Sequence, residues 1–276
     1  MSRPLSRLGA RIIRATMLAD RSFDRFDRLR SRLVSRLASD EVLQAYNDLT
    51  YSAQKVYDSG SDTFRSELFN WEADLAGRVL RPPPGRILVG GAGGGRVAFA
   101  LAERGYTVTA FEPSPALARS MADHAAARSA SVDAGIGRYE ALPRLESIDG
   151  REAKDLGTGA KFDAALLGWT SFSHVRSREA RILTLRAFAQ VTDGPVAFSF
   201  YLGRARRHPA SGAARLLDAI GLGGAGDRFT PHVGYFHVSQ REELEAEIAE
   251  AGLRVIDASW DDSDGRWPWV AVVRLA

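Results

Sequence analysis

The chain contains no cysteine. Disulfides, thiolate metal sites, iron–sulfur clusters and a cysteine nucleophile are therefore excluded, and with them radical cofactor chemistry and the cysteine-adduct route to C5 methylation of pyrimidines. Lysine is nearly absent: Lys55, Lys154 and Lys161 are the only ones among 37 basic residues. Such a bias follows the base composition of a genome more readily than a function. Long apolar runs are missing too, since no stretch approaches the roughly 18 residues that a membrane span needs. Nothing indicates export, so a cytoplasmic location is expected. The net charge of +3 gives a weak electrostatic case for nucleic acid, and no nucleic-acid partner is expected. No His, Asp or Glu spacing supports a metal; the acidic cluster Asp261-Asp262-Ser263-Asp264-Gly265 reads as a solvated turn, lacking a full calcium-loop pattern.

What is present is one sizeable core's worth of apolar residues, 45% of 276, with room for an appendage. The most telling stretch is Arg86 to Arg96. A short apolar run, Ile87-Leu88-Val89, breaks into Gly90-Gly91-Ala92-Gly93-Gly94-Gly95 and then enters a helical pattern at Val97, Ala98 and Leu101. Strand, glycine turn and helix make the first half of a βαβ unit that holds a nucleotide-like ligand. The second half is Tyr106 to Phe111, a strand ending at Glu112, 17 positions after Gly95. An acidic side chain near that offset grips ribose hydroxyls.

Gly91-Ala92-Gly93-Gly94-Gly95 fits GxGxG, and with Glu112-Pro113-Ser114-Pro115 it closely resembles the class I S-adenosylmethionine-dependent methyltransferases. Later segments match that family in order from about Leu68 onward: Ala134 to Pro143 resembles the stretch after its third strand, Phe162 to Trp169 its fourth strand, and Gly194 to Phe200 its fifth. Ser239 to Ala251 resembles its late helix, and Trp267 to Leu275 its closing strand. The resemblance implies an α/β fold, a doubly wound, mostly parallel seven-stranded sheet with a C-terminal antiparallel strand. It also implies S-adenosylmethionine as cofactor, held by Gly91, Ala92, Gly93, Gly95, Glu112, Pro113, Tyr139, Gly168 and Trp169. The sequence departs from the family at three places. Val89 stands where an acidic residue often does, Arg138 stands where an adenine-contacting Asp often does, and Gly168-Trp169-Thr170-Ser171 replaces an [ND]PP[YF] box. The last departure argues against methylation of exocyclic nucleobase amines or of a glutamine amide.

The organisation expected is an N-terminal helical extension or lid over residues 1–80 and a catalytic domain over 81–276, with a substrate-side insertion at 203–238. Residues 1–39 hold ten Arg against three Asp. Leu5, Leu8, Ile12, Ala15, Ala19, Phe23, Phe26, Leu29, Leu33 and Leu37 form an apolar helical stripe opposite them. That stripe is expected to pack on the catalytic domain or on a second copy as a homodimer; a membrane-surface contact is the less favoured reading. A second helix is expected over Asp40 to Tyr57 and a third over Phe64 to Val79, before the proline stop at Pro82-Pro83-Pro84. Tyr51, Tyr57 and Trp71 are candidates to line a lid.

Methyl transfer displaces sulfur in line at an activated carbon, so proximity contributes most, and a base is needed only where the acceptor must lose a proton. His174, just after the fourth strand, is the candidate base. Tyr57, Ser171, Tyr201, His232 and His237 are candidates to contact a small-molecule acceptor. Arg204, Arg206 and Arg207 read as either a solvated face or a receptor for an acidic acceptor. The reading that follows is methyl transfer to an O or N atom of a small molecule. Three alternatives stay open: an NAD(P)-dependent oxidoreductase using Gly93-x-Gly95-x-x-Ala98, a non-catalytic partner subunit with the same fold, and an RNA or lipid methyltransferase.

Overall fold

The computed structural model describes residues 26–275 except 28, 32, 36, 149–152, 160, 204–225 and 264–265. Seven strands build the main sheet: β1 (Arg86–Gly90), β2 (Thr107–Glu112), β3 (Val132–Ile136), β6 (Ala164–Leu167), β7 (Val196–Ser199), β11 (Leu253–Ser259) and β12 (Trp269–Arg274). Their order is β11-β12-β7-β6-β1-β2-β3. All neighbours run parallel except β12, which is antiparallel to both β7 and β11. Two short strands, β4 (Arg144–Leu145) and β5 (Lys154–Asp155), pair beside it. A separate three-stranded sheet is formed by β8 (Tyr201–Leu202), β9 (Asp227–Thr230) and β10 (Gly234–Ser239), with β10 in the middle. The α/β fold with one antiparallel strand near the C-terminus is the one the sequence leads one to expect.

Period-two alternation divides the core into two layers. In β1, Ile87 and Val89 face one side with Trp71, Leu75, Phe99 and Met121. Leu88 faces the other with Leu185, Phe188, Leu244 and Ile248. Helices therefore cover both faces: α2 (Asn70–Val79), α3 (Arg96–Ala102) and α4 (Pro115–Arg128) on the first, and α5 (Arg178–Val191) and α6 (Arg241–Glu250) on the second. Strands β6 and β7 are buried at every residue, as parallel strands packed on both faces must be.

Two helix boundaries differ from expectation. Helix α1 (Asp40–Ser52) stops short of Tyr57, which lies in a separate 3₁₀ turn, Lys55–Tyr57. Helix α2 starts at Asn70 rather than Phe64. The Phe69 N–H donates to Glu72 Oε2 at 2.8 Å, a first-turn carboxylate turned back on the helix start, and Arg96 grips both Glu72 oxygens at 2.6 Å. That capture leaves residues 64–69 extended across the glycine turn's helix. Trp71 is a core residue rather than part of a lid.

The N-terminal helical residues pack on the three-stranded sheet, but not by the expected stripe. Phe26, Leu29, Leu33 and Leu37 are exposed. The inward side is instead Ser31, Val34, Ser35, Ala38 and Leu43, against Phe229 and Tyr235. Backbone polar groups of that region need partners, and small polar side chains supply them. Ser31 Oγ accepts the Phe229 N–H at 2.6 Å, and Ser35 Oγ donates to the Ser31 carbonyl at 2.8 Å. The stripe positions from Leu5 to Phe23 lie outside the described residues. Among the described residues, no helix is long and apolar enough to cross a membrane.

A buried ion pair ties α5 to α6. Arg181 donates to Glu247 from Nε at 3.1 and 3.0 Å, and both side chains are shut away from water. Arg181 also reaches Glu243 at 3.1 Å. Removing one partner of such a pair strands the other charge, at a cost of about 3–5 kcal/mol. Arg181→Met, which strands the wholly buried Glu247, is expected to lower stability by that amount in urea denaturation. Breaking the exposed Arg241–Glu245 pair should leave the midpoint nearly unchanged.

Candidate active site

The carboxyl ends of β1, β2 and β6 open together into a cleft of about 450 Å³, roofed by α1, the 3₁₀ turn at Tyr57 and the loop before β10. The turn after β1 runs through left-handed backbone at Gly91, Gly93 and Gly95. Gly93 faces the open cleft: a Cβ there would touch only the edge of the Tyr57 ring, at 3.5 Å. Gly94 has a different duty. A Cβ at Gly94 would run into the Tyr57 carbonyl oxygen, so this glycine lets the N-terminal strap rest directly on the turn.

Glu112, the last residue of β2, reaches back across this turn. Its Oε2 accepts the Gly93 N–H at 2.9 Å and its Oε1 the Ser114 N–H at 3.1 Å. Burial pushes the Glu112 carboxyl up to about 7, against the opposing pull of those two N–H bonds, and the nearby Asp48 carboxylate adds to the rise. The carboxylate lines the cleft. It is a strong acceptor held at the rim, short of hydrogen-bond donors.

On the other side of β1, the Gly168 N–H donates to the Gly90 carbonyl at 2.7 Å, and a Cβ at Gly168 would strike the Gly91 carbonyl. Trp169 follows, then Thr170 in left-handed conformation with its N–H on Ser199 Oγ at 2.8 Å. This kink delivers the 3₁₀ turn Ser171–His174 to the cleft wall. His174 Nδ1 lies 2.5 Å from the Tyr235 carbonyl oxygen, and Nε2 lies 2.9 Å from Tyr51 Oη. A carbonyl only accepts, so Nδ1 carries the proton and the Nε2 lone pair receives the Tyr51 hydroxyl. Burial lowers the His174 pKa below its ordinary value and keeps the ring neutral. Tyr51 Oη has a second acceptor within reach, the Val233 carbonyl at 3.4 Å.

No family model matches the chain and no curated protein matches its sequence. Solved structures do match. The CcbJ methyltransferase from Streptomyces caelestis aligns over 82% of this chain and 98% of its own, with TM-score 0.55 and 17% identity. A SAM-dependent methyltransferase from Methanosarcina mazei aligns over 76% of this chain and 100% of its own, with TM-score 0.52 and 17% identity. The [4+2]-cyclase SpnF aligns over 80% of this chain and 74% of its own, with TM-score 0.53 and 18% identity. The chain has the class I methyltransferase fold.

In that fold the cleft gathers most of the residues singled out from sequence. Gly91, Ala92, Gly93, Glu112, Pro113, Gly168, Trp169, Tyr57, Ser171, His174, Tyr201 and His232 all line it. Gly95 does not; a Cβ there would press on Phe99 and Met121, so it serves the packing of α3 and α4. Tyr139 lines the cleft too, but it is largely buried, its ring set edge to face against Phe111 and Phe188 at 5.9 and 5.4 Å. Ser171 Oγ donates to the Gly168 carbonyl at 2.7 Å and accepts from Tyr139 Oη at 2.6 Å, which leaves it no proton for an acceptor. His237 lies outside the cleft. Strand alternation turns it inward with Tyr235, where Nδ1 meets Asp227 at 2.8 Å and Nε2 meets Glu243 at 3.0 Å. Burial alone would lower its pKa, but the two carboxylates hold it above the ordinary value, so the ring is a structural cation. Arg204, Arg206 and Arg207 lie outside the described residues, as do Asp264 and Gly265. Among the described residues no group of His, Asp and Glu is placed to hold a metal.

Sequence reasoning passed over Gln44, Asp48, Phe69 and Trp267, which also line the cleft. Gln44, Asp48 and Tyr51 recur at helical spacing on α1, a weak signal that becomes legible only once that helix is known to roof a site. Nitrogen-15 NMR of His174 checks the assignment. Nδ1 should show a pyrrole-type and Nε2 a pyridine-type shift at pH 7, with a titration midpoint below 6.5, the ordinary value. An imidazolium signal at pH 7 contradicts it.

Proposed function

We propose that the chain binds S-adenosylmethionine at the glycine turn and transfers its methyl group to an O or N atom of a small molecule held under α1. The observation that carries this is the Glu112 carboxylate, fixed on the Gly93 N–H at the rim of a cleft whose far wall holds a neutral histidine. The residues fit the cofactor. The turn is free of side chains at Gly93, Glu112 is an acceptor ready for ribose hydroxyls, and Asp48 and Glu112 make this part of the lining acidic, as suits a sulfonium and an ammonium. Val89 is wholly buried in the core, so the acidic groups of the lining come from α1, β2 and the turn after β3, where Glu140 stands, rather than from β1.

When bound, S-adenosylmethionine supplies a methyl group already activated by positive sulfur. The chain's residues have three tasks. The glycine turn and Glu112 anchor the donor, the aromatic walls exclude water and orient the acceptor, and His174 Nε2 takes the proton where the acceptor is a hydroxyl. The likeness to CcbJ and to the Methanosarcina enzyme, both named as methyltransferases, supports this reading. The oxidoreductase alternative loses support from β12. An antiparallel strand between β7 and β11 departs from the all-parallel 3-2-1-4-5-6 order of dinucleotide folds. The likeness to a [4+2]-cyclase gives a second reading, the same fold without methyl transfer. Release of S-adenosylhomocysteine with a methylated product separates the two.

Calorimetry tests the binding step directly. The chain should bind S-adenosylmethionine and S-adenosylhomocysteine and not NADH. Glu112→Ala should weaken binding by about 1.5–3 kcal/mol, the range for hydrogen bonds to a charged group, and Gly93→Phe should abolish it. Because ribose hydroxyls favour the ionised carboxylate, and Glu112 titrates at about 7, affinity should fall about tenfold from pH 8 to pH 6. Glu112→Gln should flatten that dependence. His174→Ala should lower turnover of a hydroxyl acceptor by about 10²–10⁴-fold with cofactor affinity unchanged.

A further inference from the structure

We infer that the acceptor is a flat, uncharged aromatic ring bearing a hydroxyl, and that this hydroxyl takes the place on His174 Nε2 which the Tyr51 phenol fills. The inference rests on the methyl-transfer reading and gives that site its substrate class.

The cleft that holds His174 is lined by rings. Phe69 meets Trp169 edge to face at 5.2 Å, Trp169 meets Trp267 at 5.2 Å, and Trp267 meets Tyr201 at 5.4 Å. Tyr51 and Tyr57 close the opposite side, 5.3 Å apart. All six line the cleft, and a lining of ring faces and edges selects another ring by area and quadrupole.

Charge narrows the class. Arg96 and Arg138 are the cations of the described lining. Arg96 is spent on Glu72, with its guanidinium over the Phe69 ring at 4.0 Å. Arg138 follows β3, separated from the β6 end that carries His174 by β2 and β1. An anionic acceptor therefore finds, among the described residues, no lining cation beside His174 to receive it. A cationic amine has its lone pair bound to a proton and faces the sulfonium's like charge. A neutral acceptor avoids both penalties.

The hydroxyl is specified by what His174 already holds. Its Nε2 accepts a phenolic O–H from Tyr51 at 2.9 Å, inside the cleft. Tyr51 has the Val233 carbonyl as an alternative acceptor, so an incoming hydroxyl displaces it without leaving a buried donor unpaired. The step balances. The acceptor oxygen bonds the methyl carbon as the carbon–sulfur bond breaks, its electron pair stays on sulfur, and the hydroxyl proton passes to Nε2. The resulting imidazolium is held by the Tyr235 carbonyl and returns its proton to solvent.

The test is fluorescence titration of the full chain, saturated with S-adenosylhomocysteine, using 2-naphthol, 2-naphthoate and 2-naphthylmethylammonium. Naphthol should bind about tenfold or more tightly than either charged probe. His174→Ala should erase that margin, whereas Tyr51→Phe should keep or widen it, because the competing phenol is gone. S-adenosylhomocysteine calorimetry on each variant shows that its site is intact; His174→Gln replaces His174→Ala if the latter fails that check. Equal or tighter binding of a charged probe, no binding of naphthol, a margin that survives without His174, or its loss in Tyr51→Phe overturns the inference. If the chain fails to bind S-adenosylhomocysteine, the methyl-transfer reading falls. The same titration without it still decides the probe preference, so the two failures are told apart.

Discussion

The hydrogen bond from the Gly93 N–H to the Glu112 carboxylate joins the carboxyl ends of the neighbouring strands β1 and β2 and shapes the turn above them. Hydrogen bonds pair β1 with β2 along their length, but that ladder ends at Gly90 and Phe111. Beyond it the backbone must turn through left-handed conformations that no ladder supports. A half-buried carboxylate on the turn's own amide supplies the missing restraint, at the cost of holding a charge partly sheltered from water. That cost is why the group titrates near neutrality, and it is also what makes the site receptive. Any ligand with hydroxyl donors relieves a burden that the empty fold carries.

A second set of restraints fixes the opposite wall. Tyr235 links two systems: its carbonyl orients His174, while its hydroxyl lies within 2.9 Å of both Asp227 and the Arg176 carbonyl. Asp227 in turn faces His237, which faces Glu243, which faces Arg181. The histidine in the cleft and the histidine in the core thus have opposite environments. One is desolvated beside a single carbonyl and is neutral; the other lies between two carboxylates and is charged. Burial lowers both pKa values; the two carboxylates at His237 outweigh it, and the single carbonyl at His174 does not.

The parts of this architecture that depend on local pattern were open to sequence reading. The apolar run, the glycine turn and the acidic residue at the end of β2 are each tied to their neighbours in the chain, so composition and spacing reveal them. His174 was within reach for the same reason, since it follows a strand whose end must open on the site. The parts that depend on long-range pairing were not. Tyr51 finds His174 across 123 positions, and nothing in either neighbourhood signals the other. His237 has the same residue type and the same flanking aromatics as a pocket histidine; only the face it presents from β10 removes it. The stripe of Phe26, Leu29, Leu33 and Leu37 shows how periodicity identifies a helix without identifying its buried side, because the Ser31 and Ser35 hydroxyls find hydrogen-bond partners on that side. Residues 64–69 escape the helix they resemble because Glu72 is claimed by Arg96, a partner outside the local window.

Tyr51 and Tyr57 stand six positions apart on one short strap, the first on the base and the second on the glycine turn. The intervening chain is a helix end and a single 3₁₀ turn, so both rings ride on one segment of backbone. Displacing the strap therefore uncovers both halves of the cleft together. Under the proposed reading, exchange of a spent donor and release of a product would then share one gate, and the traffic of the two ligands would follow the same opening rate.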